Sequence, residues 1–305
     1  MLENILTVGN YVLILFILIA VGFLCNKTKI LTDSALKGLT NFVLYVVTPC
    51  VIVNSYQREF DKNMLRGLFI TVIAAVLSFA INILMAHVFV KDKDKIKEKT
   101  LRFGAVFSNC GYMSLPLQEA MLGETGVFYG ATYIAVFQIV LWTYGVVLMS
   151  GSVKNISLKK IFINPGVLST AIGLLLYVFS ISIPFTVLEP IKYLAALNTP
   201  IPMVIVGYYL AQASLGLKGF ASYVSVILRL IVSPLIMIAI MLIFGVKGDI
   251  AIACTIAASA PVAATTTMFC ENFDGDTTLS AALVSITTII SIITMPLVVA
   301  LSAML

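Results

Sequence analysis

The chain is 305 residues long, 60% apolar and only 11% charged, with a mean hydropathy of +1.08. Soluble domains run about 45–50% apolar and about 25% charged, so a soluble fold could not hide this much apolar surface and an all-α polytopic membrane protein is expected. The formal charge of +5 concentrates in loops beside hydrophobic runs, which argues against a nucleic-acid partner and for contact with membrane lipid.

Hydrophobic runs near the ~20-residue length that crosses a bilayer recur ten times, at 5–25, 35–55, 65–90, 103–121, 125–150, 164–184, 191–212, 219–244, 250–270 and 277–303. The first lacks a basic leader and a small-residue cleavage site, and Glu3 precedes it, so it reads as a span and not as a signal peptide. The second contains Thr48-Pro49. His87, the sole histidine, lies near the end of the third and is expected at the membrane interface. Segment 91–102, with six basic and three acidic residues, reads as a solvated cytoplasmic connector, with attraction to anionic lipid as a second use. In the fourth run Asn109, Gly111 and Pro116 predict a helix broken in mid-membrane. The fifth carries Gln138 four residues before Trp142, the single tryptophan. Thr199-Pro200 falls in the seventh run, and Arg229 in the eighth, five residues before Pro234. The ninth contains Ala-Ser-Ala-Pro-Val-Ala-Ala-Thr-Thr-Thr at 258–267, a second break around Pro261.

Lys and Arg in short loops set orientation. Thirteen, from Lys27 through the 91–102 run to Lys160 and Lys218, fall on one side. Arg58, Lys62, Arg66, Lys192 and Lys247 fall on the other. The richer side is expected in the cytoplasm, which puts both termini outside. Thr48-Pro49 recurs as Thr199-Pro200 and Ser108 as Ser259, each at an offset of 151, and Glu124 pairs with Asp276 at 152. The halves 1–150 and 151–305 then hold five spans each, an odd number, so the second enters the membrane inverted.

A broken helix leaves N–H and C=O groups that lipid cannot satisfy, so it must be buried in protein or face water. The N-termini of half-helices carry partial positive charge and free donors. Spans 4 and 9, crossing near the midplane, would therefore cradle an anion, most simply a carboxylate. The expected contacts are Asn109, whose amide both donates and accepts, Cys110 and Gly111 inside the break, Thr265 and Thr266 at the corresponding depth, and Gln138. Pro116, Pro261, Pro49 and Pro200 are the expected crossing or hinge prolines; the plainer reading is that they merely kink packed helices. Arg229 either attracts the anion or snorkels to the surface, and Glu119 either carries a coupling proton or sits near the outer end of its helix. The five cysteines show no metal or redox spacing and read as core residues, so no metal, cofactor or catalytic residue is expected. The sequence has no His-Glu-x-x-His, P-loop or Gly-x-Ser-x-Gly motif, and Asp274-Gly275-Asp276 falls in a turn, so an enzyme is not expected. A channel or a solute-binding sensor remains as an alternative to a carrier.

Ser108-Asn109-Cys110-Gly111-Tyr112-Met113-Ser114-Leu115-Pro116-Leu117, then Leu122-Gly123 and Gln138 through Trp142, resemble the auxin efflux carrier (PIN-like) family of membrane transporters. Asn41-Phe42 leading to Pro49, Asn164-Pro165, Arg229 with Pro234, Ser259-Ala260-Pro261 and Pro296 resemble it in the same order. The resemblance implies a ten-helix, bile-acid-symporter-like elevator, with spans 1, 2, 6 and 7 as scaffold and 3–5 and 8–10 as the moving transport domain. It further implies a small organic anion bound by Asn109 and Gln138, a homodimer formed through the scaffold, and a place in the bacterial plasma membrane. Thr266 stands where the family has a second crossing proline, and Thr71 and Ala75 where plant members carry an Asp and a Lys. These departures argue against plant-type auxin handling; the expected substrate is a dicarboxylate such as malate or malonate, with an auxin-like carboxylate as the alternative.

Overall fold

The computed structural model describes residues 2–157, 159, 162–212, 216–217 and 219–304; Lys160 and Lys218 lie outside them. In chain order the helices are α1 (Leu2–Lys27), α2 (Asp33–Phe42), α3 (Thr48–Ser55), α4 (Lys62–Phe89), α5 (Lys95–Val106), α6 (Leu115–Val140), α7 (Val146–Ser150), α8 (Pro165–Val178), α9 (Phe185–Ala195), α10 (Pro200–Gln212), α11 (Phe220–Ile227), α12 (Ser233–Ile243), α13 (Asp249–Ser259), α14 (Thr265–Asn272) and α15 (Thr277–Met304). Among the described residues there is no strand; one isolated antiparallel bridge joins Ser108 to Val262.

Three prolines shape these helices without ending them. Pro49, Pro116 and Pro234 each follow a π-helical turn by two residues, at Val43–Val47, Cys110–Ser114 and Leu228–Val232. A proline ring crowds the carbonyl four residues back and supplies no N–H. Those carbonyls belong to Tyr45, Tyr112 and Leu230, each in the middle of its turn, and the helix relieves the clash by widening there.

Seven helical stretches are long and apolar enough to cross a membrane: Gly9–Lys27, Asp33–Ser55, Lys62–Phe89, Cys110–Ser150, Phe185–Gln212, Phe220–Ile243 and Thr277–Met304. Pro165–Val178 and Asp249–Ser259 are apolar but shorter. Cys110–Ser150 holds 41 residues, about 60 Å of helix at ~1.5 Å per residue, twice the ~30 Å hydrocarbon core. It bends at Gly123, whose φ of 60° and ψ of −149° are open to glycine and strained for any other residue. Large apolar side chains such as Phe69, Leu84, Phe220 and Ile293 face outward, a surface that suits lipid rather than water.

The fourth segment begins earlier than its hydropathy predicts. Residues 91–102 read as a solvated connector, yet most of them belong to α5. Asp94 caps this helix, its carboxylate accepting from the N–H groups of Ile96 and Lys97 at 2.9 and 3.4 Å. Glu98 is buried between Lys95 at 3.0 Å and Arg102 at 2.8 Å. The same face ties down three other helix ends. Lys99 Nζ donates to the Met149 carbonyl near the end of α7 at 3.0 Å and to the Phe273 carbonyl just past α14 at 2.9 Å. Arg102 Nε donates to the Val90 carbonyl after α4 at 3.1 Å. Charges that suggest a loop are here spent on helix C-termini, where cations are favoured.

Elsewhere α1 and α10 pack backbone to backbone. A Cβ on Gly22 would collide with the Val204 carbonyl, and one on Gly207 with the Ile19 carbonyl, the close approach that small residues permit between membrane helices. The main core lies beneath the Ser108–Val262 bridge. Phe103 and Phe107 pack as tilted rings with centroids 4.4 Å apart, and Phe137 meets Phe107 edge-on at 5.7 Å; such pairs add about 0.5–1.5 kcal/mol each beyond burial.

Candidate functional site

Two chain segments lose their helical path and meet. After α5 the backbone is extended through Phe107, and the next helical turn starts at Cys110. After α13 it runs extended through Ala260, and α14 starts at Thr265. The two stretches lie antiparallel, with Asn109 N donating to the Pro261 carbonyl at 2.8 Å and Ala263 N to the Phe107 carbonyl at 3.0 Å. The N–H of Val262 donates to Thr287 Oγ1 of α15 at 3.1 Å. Backbone that would be orphaned in lipid is thus satisfied by the opposite break and by a neighbouring helix.

Four helix ends converge here. The C-termini of α5 and α13 carry partial negative charge, and the N-termini of the turn at Cys110 and of α14 carry partial positive charge. Arg229, 1% exposed, reaches both negative ends from the π turn before α12. Its Nη1 donates to the Val106 carbonyl at 2.8 Å, and its Nη2 to Ser233 Oγ at 2.7 Å and to the Ala258 carbonyl. It is enclosed in protein, so snorkelling is not its role. Further along, the π turn Cys110–Ser114 and α6 are bolted to α13: Ser114 Oγ, at the end of the turn, donates to the Ile256 carbonyl at 3.2 Å and Gln118 Nε2 of α6 to the Ala253 carbonyl at 2.7 Å.

The sequence-predicted residues fall at several separate places. Asn109 and Cys110 are buried at the break itself, with Gly111 beside them and Pro261 in the opposite strand. Thr265 and Thr266 open α14, and both hydroxyls lack a hydrogen-bond partner although Thr266 is fully buried. Pro116 lies in the first turn of α6, Pro49 in that of α3, and Pro200 starts α10. Gln138 is held by the start of α8: Asn164, which caps that helix, donates from Nδ2 to Gln138 Oε1 at 3.2 Å. Glu119 lies farther along α6 and lines a water-sized cavity with Asn54, Ser55 and Glu124.

Thr71 and Ala75, at the places of the plant-type charge pair, are buried, with the Thr71 hydroxyl donating to the Gly67 carbonyl at 3.0 Å. Sequence reading missed Thr287, Ser114 and Gln118. The last two, four residues apart on one helix face, were the available clue. Among the described residues no group of three or more His, Cys, Asp or Glu could hold a metal ion. The break thus gathers backbone groups that pair with one another, a buried Asn109 and, at the start of α14, two threonine hydroxyls without a partner.

The family described as Membrane transport protein matches residues 7–159 and 150–299 of this chain. An uncharacterized transporter of Methanocaldococcus jannaschii is 26% identical over 302 residues, covering 94% of this chain and 96% of that one. An uncharacterized transporter of Methanothermobacter thermautotrophicus is 21% identical over 292 residues, covering 94% and 95%. A Rhizobium meliloti protein named "Putative malonate transporter" is 24% identical over 306 residues, covering 94% and 93%.

Proposed function

Because this chain belongs to the Membrane transport protein family, the auxin efflux carrier group, we propose that it is a secondary carrier of a small organic anion. The substrate is a dicarboxylate of the size of malonate or malate, held at the crossing of the two broken helices. The observation that carries this reading is the bridged break itself: two segments that leave the helical path pair at Ser108 and Val262, with Asn109 buried beside the bridge and the unpartnered hydroxyls of Thr265 and Thr266 opening the helix that follows it. The relative named for malonate supports the choice of dicarboxylate.

The ten-span inverted plan is the reading that accounts for all the helices together. Cys110–Ser150 supplies the end of span 4 and the whole of span 5, divided at Gly123; α8 is span 6; α13 with α14 is span 9. Spans 1, 2, 6 and 7 form the scaffold, and 3–5 with 8–10 form the part that carries the substrate across as an elevator. The ties from Lys99 and Arg102 support such a rigid unit, because they join α4, α5, α7 and α14. The protein works in the plasma membrane with both termini outside and pairs through its scaffold.

Uptake into proteoliposomes tests this reading, with labelled malonate, malate, citrate, indole-3-acetate and a neutral amino acid under imposed proton and sodium gradients. Saturable uptake of one dicarboxylate upholds it, and the effective gradient names the coupling ion. Binding without flux for every anion would make the protein a sensor instead.

A further inference from the structure

The Arg229 guanidinium holds four contacts and no counter-charge. Its acceptors are the carbonyls of Val106, Ala258 and, at 3.5 Å, Ala105, together with the Ser233 hydroxyl. Among the described residues no carboxylate pairs with it. A bare charge at this depth is costly, and what balances it is the pair of helix C-termini. Each helix end carries roughly half an elementary charge. The two C-termini of α5 and α13 therefore sum to about −1, and Arg229 cancels them. The two N-termini facing the break, together about +1, are left uncompensated. Without the guanidinium the four ends would sum to about zero, and the crossing would have no preference for the sign of its ligand.

We infer that Arg229 is a positioning residue that sets the charge selectivity of the crossing. It clamps both half-helix C-termini and neutralises them, so that the opposed N-termini select an anion. This rests on the reading of the crossing as the substrate site. Arginine suits the task because its planar fork reaches two ends at once, whereas the lysine ammonium is a point charge on a flexible stem.

The test uses the full chain, purified and reconstituted, as wild type, Arg229→Gln and Arg229→Lys. Two quantities are read: the preference for malonate over its neutral isostere malonamide in competition for labelled malonate uptake, and amide hydrogen exchange in segments 103–114 and 256–267. In Arg229→Gln the preference is expected to fall at least tenfold and exchange to quicken at least tenfold in both segments. In Arg229→Lys, which keeps the charge, the preference should hold within about threefold while KM rises. An unchanged preference in the Gln variant, or a lost preference in the Lys variant, overturns the inference; the Lys arm decides it if the Gln variant does not fold. A wild-type protein that moves no malonate would count against the carrier reading, not against the clamp. Exchange then decides the clamp: faster exchange in both segments of the Gln variant upholds it, and a change in neither overturns it.

Discussion

Thr266 is one of the buried residues whose polar group the described chain leaves unsatisfied. Its hydroxyl is enclosed yet bonds nothing in the chain, and a buried hydroxyl left unsatisfied costs about 1–3 kcal/mol. Thr266→Val is therefore expected to leave stability unchanged or slightly raised in a thermal melt while malonate binding weakens severalfold. Gly130 makes a contrasting case, because a Cβ there would press into the side-chain carbonyl of Gln118. Gly130→Ala should destabilise by about 1–3 kcal/mol, the usual range for overpacking, with Gln118→Ala, which empties that space, relieving the clash. Glu98 gives a pH dependence. Burial raises its carboxyl pKa, but the Asp92 N–H, the Lys95 ammonium and the Arg102 guanidinium together hold it below the ordinary value. A depressed folded pKa stabilises the protein above the unfolded value, about 4.3, and that share is lost as pH falls through the folded value. Melting temperatures taken from pH 5 downward should fall more steeply for wild type than for Glu98→Gln. At this scale the sequence marks Asn109 and Thr266 by their side chains, and the structure places the first in the break and the second at the start of α14. The sequence is silent where the partner is backbone: the carbonyls that Arg229 and Lys99 bind have no sequence signature.

Among the elements, the breaks after α5 and α13 were legible because Asn109, Gly111, Pro116 and Pro261 stand out in apolar sequence. Which of them breaks the helix was not. Gly111 and Pro116 lie within the resumed helix, and the unwound stretch is Phe107 to Asn109. The offset of 151 matched Ser108 to Ser259, whereas the bridge sets Ser108 opposite Val262, 154 residues on. Ser259 still belongs to α13 while Ser108 is already past the end of α5, so equal residue types occupy unequal backbone states. The early start of α5 was hidden for a different reason, since its charges lower the hydropathy that reveals spans. A further contact bears on movement between elements. The end of α3 meets α6 through Asn54 Nδ2 donating to Glu124 Oε1 at 3.4 Å and through the Tyr56 and Thr132 hydroxyls at 3.0 Å. In the elevator reading these join scaffold to moving part and must separate in each cycle. In a cysteine-free background, oxidative cross-linking of Asn54→Cys to Glu124→Cys is expected to stop uptake, with reduction restoring it. Full uptake while cross-linked would contradict an elevator.

For the molecule as a whole, composition alone led to a membrane protein, and the order of motifs led to the family. Hydropathy could not reveal how ten runs become a site, because that depends on contacts between residues 107–109 and 260–264, more than 150 positions apart. The crossing is the proposed centre of function: the Ser108–Val262 bridge, the aromatic core around Phe107 and the Arg229 contacts hold the two broken segments together. The most direct test is initial-rate malonate uptake into proteoliposomes by wild type and Asn109→Ala, matched for inserted, folded protein. The account predicts saturable uptake by wild type and a loss of at least about 100-fold in the variant, equivalent to roughly 2.7 kcal/mol. Equal uptake by the two proteins would contradict it.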